Sequence, residues 1–145
     1  MSKLYFDGSV WCNVDVALHH VSDVYRSETE PLGLNIIEWY VLRVLYEEDG
    51  QQASQIAAAV GRAATSFTPI LDKLETKSLI ERQAHPADRR AIKVYLTKQG
   101  RELEERVKAA AEKIDGELQE RFAAKDWQSF QHTLGILQTL KPLSI

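Results

Sequence analysis

The sequence has one cysteine, few glycines and prolines, and no long apolar run. A single Cys12 in 145 residues excludes an internal disulfide framework and any zinc site built from several cysteines. Seven glycines and four prolines are too few for a fibrous or low-complexity chain. No apolar stretch reaches the length of about 18 residues that spans a membrane, and the first residues lack the pattern of a secretory signal. We therefore expect a cytoplasmic globular protein of one domain, 1–145, without membrane contact, cofactor or metal.

Charge is present but unevenly distributed. The net charge of −3 by itself argues against a nucleic-acid ligand. Residues 51–101, however, carry nine basic and four acidic side chains, a net +5, whereas the remainder carries nine basic and seventeen acidic ones, a net −8. A basic middle between acidic ends is typical of a module that faces phosphate on one side.

Apolar residues at helical spacing predict helices in the first half of the chain. The segment 10–27 predicts a first helix, which Pro31 and Gly33 end. Asn35 and Glu38 form a capping box that predicts a second helix up to residue 48. Ser54 is expected to cap a third helix over 55–60, and after the turn at residues 61–63 the segment 64–77 predicts a fourth. Two short helices joined by a glycine turn are typical of a helix-turn-helix.

A basic hairpin follows the fourth helix. Residues 79–83 and 92–96 predict two strands, and the intervening loop 85–90 contains a proline and two arginines. The sequence thus predicts a mainly α fold with a small β-hairpin, an α+β winged helix-turn-helix.

Two helices with apolar stripes are predicted after the hairpin. Thr97 is expected to cap a fifth helix of about 24 residues, and Asp126 to cap a sixth. Such stripes beyond a compact module favour association with a second copy of the chain. We expect residues 1–30 and 101–145 to form a homodimer interface, and residues 34–100 to form the DNA-binding module.

The stretch from Leu34 to Gly100 resembles the MarR family of transcription regulators. The resemblance rests on Ser54-Gln-Ile-Ala-Ala-Ala-Val-Gly61, on Leu71-Asp-Lys-Leu-Glu-Thr-Lys-Ser-Leu-Ile-Glu-Arg82, and on Asp88-Arg-Arg90 followed by Val94-Tyr-Leu-Thr-Lys-Gln-Gly100. It implies a two-fold symmetric homodimer that binds an inverted repeat in double-stranded DNA, and a repressor that a small phenolic ligand or an oxidant releases.

Residues that contact DNA are predicted on the fourth helix and at the hairpin tip. A recognition helix presents its first turns to base edges in the major groove. Arg90 is the candidate for the minor groove, with Asp88 orienting it. The predicted DNA-binding set is Ser54, Ala64, Thr65, Ser66, Thr68, Pro69, Lys73, Arg89 and Arg90.

Two further sites are predicted on the first two helices. Cys12 lies near a helix start, a position that favours the thiolate form, and Thr68-Pro69 resembles the organic-hydroperoxide-sensing branch of the family. A thiol-based sensor and a small buried hydrophobe are the alternatives for Cys12. A pocket for a small aromatic ligand is predicted between the two helices, although a tryptophan also suits a core. Its predicted lining is Trp11, His20, Trp39 and Tyr40.

Other classes of function fit the sequence less well. No glycine-rich phosphate loop, no paired carboxylates in an apolar setting and no nucleophile with an assignable base point to an enzyme. A helical interaction protein without DNA would explain the long C-terminal helices but not the basic hairpin.

Overall fold

The computed structural model describes residues 3–143, apart from the side chain of Arg89. Over this range the chain is mainly helical, with one three-stranded antiparallel sheet, which confirms the predicted fold class. The helices are α1 (Val10–Thr29), α2 (Ile36–Glu47), α3 (Ala53–Ala59), α4 (Thr68–Thr76), α5 (Lys98–Glu102), α6 (Glu104–Gln119) and α7 (Ala124–Gln138), and the strands are β1 (Gln51–Gln52), β2 (Ile80–His85) and β3 (Asp88–Leu96).

The chain divides into two compact units inside α6. The first ends at Ala110 and the second begins at Ala111. The first contains the whole sheet and the helices α1 to α5. The expected single domain, with its DNA-binding module at 34–100, stays a prediction.

The start of α2 is fixed by local hydrogen bonds, as predicted. Asn35 Oδ1 accepts the N–H of Glu38 at 2.9 Å, and the N–H of Asn35 donates to Glu38 Oε2 at 3.2 Å. A 3-10 turn, Glu30–Leu32, follows α1, and Gly33, with φ 72°, ends this turn in the left-handed conformation just before the cap.

The start of α3 differs from the prediction. Gln52 caps the helix through reciprocal bonds with Gln55, and Ser54 lies one residue inside α3 rather than at its cap. The reason is that Gln51 and Gln52 pair with Val94 and Lys93 as a short strand, so the turn into the helix comes earlier. The resulting sheet has the order β1-β3-β2.

The hairpin is longer than predicted. β2 and β3 pair from Ile80 with Leu96 to His85 with Asp88, with an irregularity at Ala84 and His85. Only residues 86 and 87 form the turn, so the predicted loop over 85–90 is wrong. Backbone pairing extends the strands beyond the apolar alternation that marked them in the sequence.

The predicted fifth helix is not continuous in the structure. It is interrupted at Leu103 and forms α5 and α6. The carbonyl of Gly100, which would accept the N–H of Glu104 in a continuous helix, accepts the Tyr46 hydroxyl at 2.7 Å. The cap at Thr97 is confirmed, because Oγ1 accepts the N–H of Gly100.

The last helix begins earlier than predicted. Ala123 has the extended backbone of an N-cap residue, and Asp126 lies in the first turn of α7. Asp126 is therefore not the cap, although a carboxylate in a first turn still suits the helix dipole.

The core of the first unit is built around α2. The side chains of Trp39, Leu42 and Leu45 are buried on one face of this helix. The Trp39 ring lies 5.2 Å from the ring of Tyr25 near the end of α1. Other parts of the first unit contribute further fully buried apolar side chains, among them Ile56, Phe67, Leu74, Ile80, Val94 and Val107.

Candidate nucleic-acid interface

The recognition element, residues 64–76, consists of two helical parts. A 3-10 turn covers Ala64–Ser66, and α4 follows from Thr68. Phe67, between them, is 1% exposed and anchors the element in the core. Pro69 lies in the first turn of α4, where its missing N–H costs no helical hydrogen bond.

The predicted base-contacting side chains all lie on the exposed surface of this element. Those that precede Lys73 are small and uncharged. The hydroxyl of Ser66 donates to the carbonyl of Ala63 at 3.0 Å, which leaves its lone pairs free to accept. The exposed members of the predicted set in this segment are Ala64, Thr65, Ser66, Thr68, Pro69 and, one turn later, Lys73. Ser54 is exposed on α3.

An ion pair anchors the far end of α4. Lys77 Nζ lies 2.5 Å from Oε2 of Glu38, whose side chain is 1% exposed, and donates to the carbonyl of Gly33 at 2.7 Å. This contact joins the C-terminal end of α4 to the first turn of α2.

A second set of ion pairs joins α4 to the hairpin. The guanidinium of Arg82, on β2, donates to Asp72 at 2.6 Å and to Glu75 at 2.5 and 3.0 Å. The hydrogen bonds to Glu75, chiefly, raise the pKa of Arg82 above its ordinary value, so the cation stays charged. The hairpin is therefore tied to the recognition element by charge as well as by packing.

The hairpin tip carries Asp88 and Arg90 on β3. Asp88 Oδ1 accepts the backbone N–H of Arg90 at 2.9 Å, so Asp88 contacts its predicted partner through the main chain. Arg90 is exposed. The side chain of Arg89 lies outside the described residues, and its predicted DNA contact stays a prediction.

Several of the basic residues that made 51–101 positive have partners inside the fold. Three of them form ion pairs of 2.5 to 2.6 Å: Lys77 with Glu38, Arg82 with Asp72 and Glu75, and Arg101 with Asp49. Lys98 lies 3.9 Å from Glu102 at the surface. Among the side chains that the structure describes, the cations of this region without an acidic partner are Arg62, Lys73, Arg90 and Lys93.

Arg62 was not among the predicted DNA-binding residues. It lies in the turn between α3 and α4, two residues before the recognition element, and its side chain is exposed. A sequence signal was available, because Arg62 is the one charged residue between positions 50 and 71.

The residues of the predicted ligand pocket differ in burial and in surroundings. Trp39 is in the core, and Tyr40 lies near Arg62, whose charge opposes the rise that burial causes in the pKa of the Tyr40 hydroxyl. Trp11 is 78% exposed at the start of α1. Fourteen residues separate it from Tyr25, the aromatic neighbour of Trp39, or about 21 Å of helix. His20 is exposed on α1.

A groove of about 400 Å³ lies elsewhere in the first unit. It is lined by Arg26, Glu30, Leu34, Asn35, Ile36, Ile37 and Ile70, and by none of the predicted pocket residues.

Cys12 is half-buried in the first turn of α1, and no hydrogen bond joins its thiol to another described residue. Within 3–143, no three His, Cys, Asp or Glu side chains are grouped as metal ligands would be. No helix of that range is both long and apolar enough to cross a bilayer.

A helix-turn-helix followed by a strand-turn-strand with a basic tip defines a winged helix-turn-helix DNA-binding module. Residues 34–92 match the sequence profile of the MarR family. This segment of the chain is similar to the MarR family of transcription regulators, as its sequence resemblance predicted.

Individual relatives agree with this assignment. The chain is 36% identical over 84 residues to the HTH-type transcriptional regulator MhqR of Bacillus subtilis (strain 168), a match that covers 58% of each chain. It is 28% identical over 121 residues to the HTH-type transcriptional repressor Rv2887 of Mycobacterium tuberculosis, covering 81% of this chain and 87% of the relative.

The fold is also that of solved regulators. The transcriptional repressor CouR, solved with a 23-mer DNA duplex, superposes with a TM-score of 0.83 at 24% identity, over 94% of this chain and 99% of that one. CouR from Rhodococcus jostii RHA1 has also been solved with p-coumaroyl-CoA, and that structure superposes with a TM-score of 0.81 at 21% identity, over 98% and 100% of the two chains. At these identities the likeness shows the fold.

Proposed function

We propose that the protein is a homodimeric repressor that binds an inverted repeat in duplex DNA through two winged modules. The observation that carries the proposal is the placement of the unpaired cations. They lie in the helix-turn-helix turn, on the recognition helix and on the hairpin, around an exposed segment of small side chains. Cations neutralise phosphates, and small side chains let a helix approach base edges closely.

Exposed apolar side chains support the dimer. Soluble monomers rarely expose large apolar patches, and a second copy is the commonest partner that covers them. On α1 the exposed large apolar residues are Val10, Trp11, Val14, Val16, Leu18 and Val24, and on α7 they are Phe130, Leu134, Ile136 and Leu137. We expect α1 and α7 each to contribute to the interface.

Release from DNA by a small aromatic ligand completes the proposal. CouR, a protein of the same fold, has been solved with p-coumaroyl-CoA, whose acyl group is a phenol, and this supports a ligand with an aromatic group. Release by oxidation of Cys12, a free and half-buried cysteine, is the alternative. We expect a cytoplasmic regulator without catalytic activity.

Truncation of Arg90 tests the DNA-binding surface. Arg90→Ala should weaken binding to a duplex by about thirtyfold or more, because each groove contact contributes about 1–3 kcal/mol and a dimer loses two of them. Fluorescence anisotropy with a labelled duplex measures the change. Arg106→Ala is the control, since Arg106 is an exposed cation of α6 outside the module. Equal affinities of the native protein and the Arg90 variant would overturn the proposed role of the hairpin.

A further inference from the structure

We propose that Arg62 is the backbone anchor of the recognition element: its guanidinium binds a DNA phosphate at the edge of the major groove that α4 enters. The inference rests on the proposed function, because it assumes that α4 docks in DNA. It assigns a phosphate subsite to a residue that the family motifs of this sequence do not include.

Charge is scarce in this part of the molecule. From Gly50 to Leu71, through the whole of α3, the turn and the start of α4, Arg62 is the one charged residue. Phosphate neutralisation supplies most of the sequence-independent affinity for DNA. Lys73 comes only later, on α4 itself, so Arg62 is the one cation that precedes the recognition helix and can provide this contribution at its start.

The backbone places Arg62 at the docking end of that helix. Gly61 has φ 67° and ends α3 in the left-handed conformation. The N–H of Arg62 donates to the carbonyl of Ala57 at 2.9 Å, which fixes the chain direction at this point. Two residues later the recognition element starts at Ala64. Because such helices enter the groove with their N-terminal residues, Arg62 lies where the groove meets the phosphates.

The Arg62 side chain is also available. It is exposed, and in the part of the chain that the structure describes no carboxylate pairs with it, unlike Lys77 or Arg82. The nearby neutral side chain is Tyr40 on α2, close enough for the Arg62 charge to act on its phenol. A neutral hydroxyl does not compete with a phosphate for the guanidinium. Arginine is suited to this role because its planar donors match two phosphate oxygens.

The salt dependence of binding tests the anchor. Each neutralised phosphate adds about 0.9 to the slope of log K against log [salt], so Arg62→Ala should make the slope of a dimer shallower by about 1.8. Between about 50 and 200 mM salt the native protein should then lose roughly tenfold more affinity than the variant. Arg62→Lys keeps the charge and should keep the slope.

Two probes separate a phosphate contact from a base contact. One is a pool of random duplexes of about 40 base pairs, long enough for two half-sites about one helical turn apart. The other is a single duplex selected from that pool by repeated binding. Arg62→Ala should weaken binding to both by the same factor, whereas an effect confined to the selected duplex would assign Arg62 to base readout and overturn the anchor.

Controls distinguish this inference from the proposed function. Arg106→Ala should leave the slope of log K against log [salt] unchanged. If both variants changed the slope equally, the effect would come from the net charge of the protein and the anchor would be overturned. Circular dichroism of Arg62→Ala checks the fold. If the native protein binds neither probe in a salt-dependent way, the proposed function fails. If it binds and Arg62→Ala retains the native slope, only the anchor fails.

Discussion

Replacing Lys77 by methionine would leave a buried carboxylate without its cation. Glu38 Oε2 lies 2.5 Å from Lys77 Nζ, and the Glu38 side chain is 1% exposed. Methionine keeps most of the apolar stem of lysine, so the substitution removes the charge and the hydrogen bonds to Glu38 and Gly33 with little loss of packing. In Lys77→Met, Glu38 would keep the N–H of Asn35 as a hydrogen-bond donor.

The expected cost follows from the burial of the two partners. Breaking a buried ion pair from one side costs about 3–5 kcal/mol, because the remaining charge stays out of water. Lys77 is 39% exposed, so water screens part of the interaction and the lower end, about 3 kcal/mol, applies. For a chain of this length each kcal/mol shifts Tm by roughly 3 °C, so the Tm should fall by roughly 9 °C.

Thermal and urea unfolding at one protomer concentration measure this loss, since the stability of a dimer depends on concentration. Lys73→Met is the matched control on the same helix, with an exposed lysine that has no acidic partner in the described structure, and it should change stability by less than about 0.5 kcal/mol. Adding Glu38→Gln to Lys77→Met removes the stranded charge and should recover more than half of the loss. A Lys77 variant as stable as the Lys73 control would refute the reasoning.

Two further predictions concern α5 and its neighbours. A Cβ on Gly100 would lie 2.2 Å from the carbonyl oxygen of Leu79, so Gly100→Ala should destabilise the fold by about 2–3 kcal/mol. Gly116→Ala, with open space around the added methyl, should gain up to about 1 kcal/mol, and equal shifts in urea midpoint would contradict this. Burial, and secondarily Glu104, raises the pKa of Tyr46 to about 12 from 10.0. The folded state thus keeps this proton longer, and native stability should fall between pH 10 and 12 more steeply than that of Tyr46→Phe; parallel unfolding curves across this interval would count against it.

Features that depend on neighbouring residues were predictable from the sequence. The capping box at Asn35, the cap at Thr97 and the turn at Gly61 each need only a few adjacent residues, and all three are present. Features that depend on distant partners were missed. The strand at Gln51 exists because it pairs with Val94, and the break at Leu103 coincides with the contact of Tyr46 on Gly100, 54 residues along the chain.

The same distinction applies to the candidate site. Helical position alone predicted which side chains of the recognition element are exposed. It could not show which cations already form ion pairs within the fold, because Lys77 pairs with an acid 39 residues away and Arg101 with one 52 residues away. Tyr40 and Trp39 illustrate the limit for pockets: although they are adjacent in sequence, Trp39 is buried in the core and Tyr40 is partly exposed.

The count of free cations, rather than the net charge, sets the expected salt dependence of DNA binding. If all nine basic residues of 51–101 neutralised phosphates in both protomers, the slope of log K against log [salt] would be about −16. The four described cations without acidic partners give eight per dimer and a slope of about −7, and Arg89 would steepen it to about −9. Titrating salt against duplex binding distinguishes these values. A slope near −16 would mean that the ion pairs of Lys77, Arg82, Lys98 and Arg101 all open on DNA. These cations would then leave the acids that hold α4, the hairpin and α5 in place.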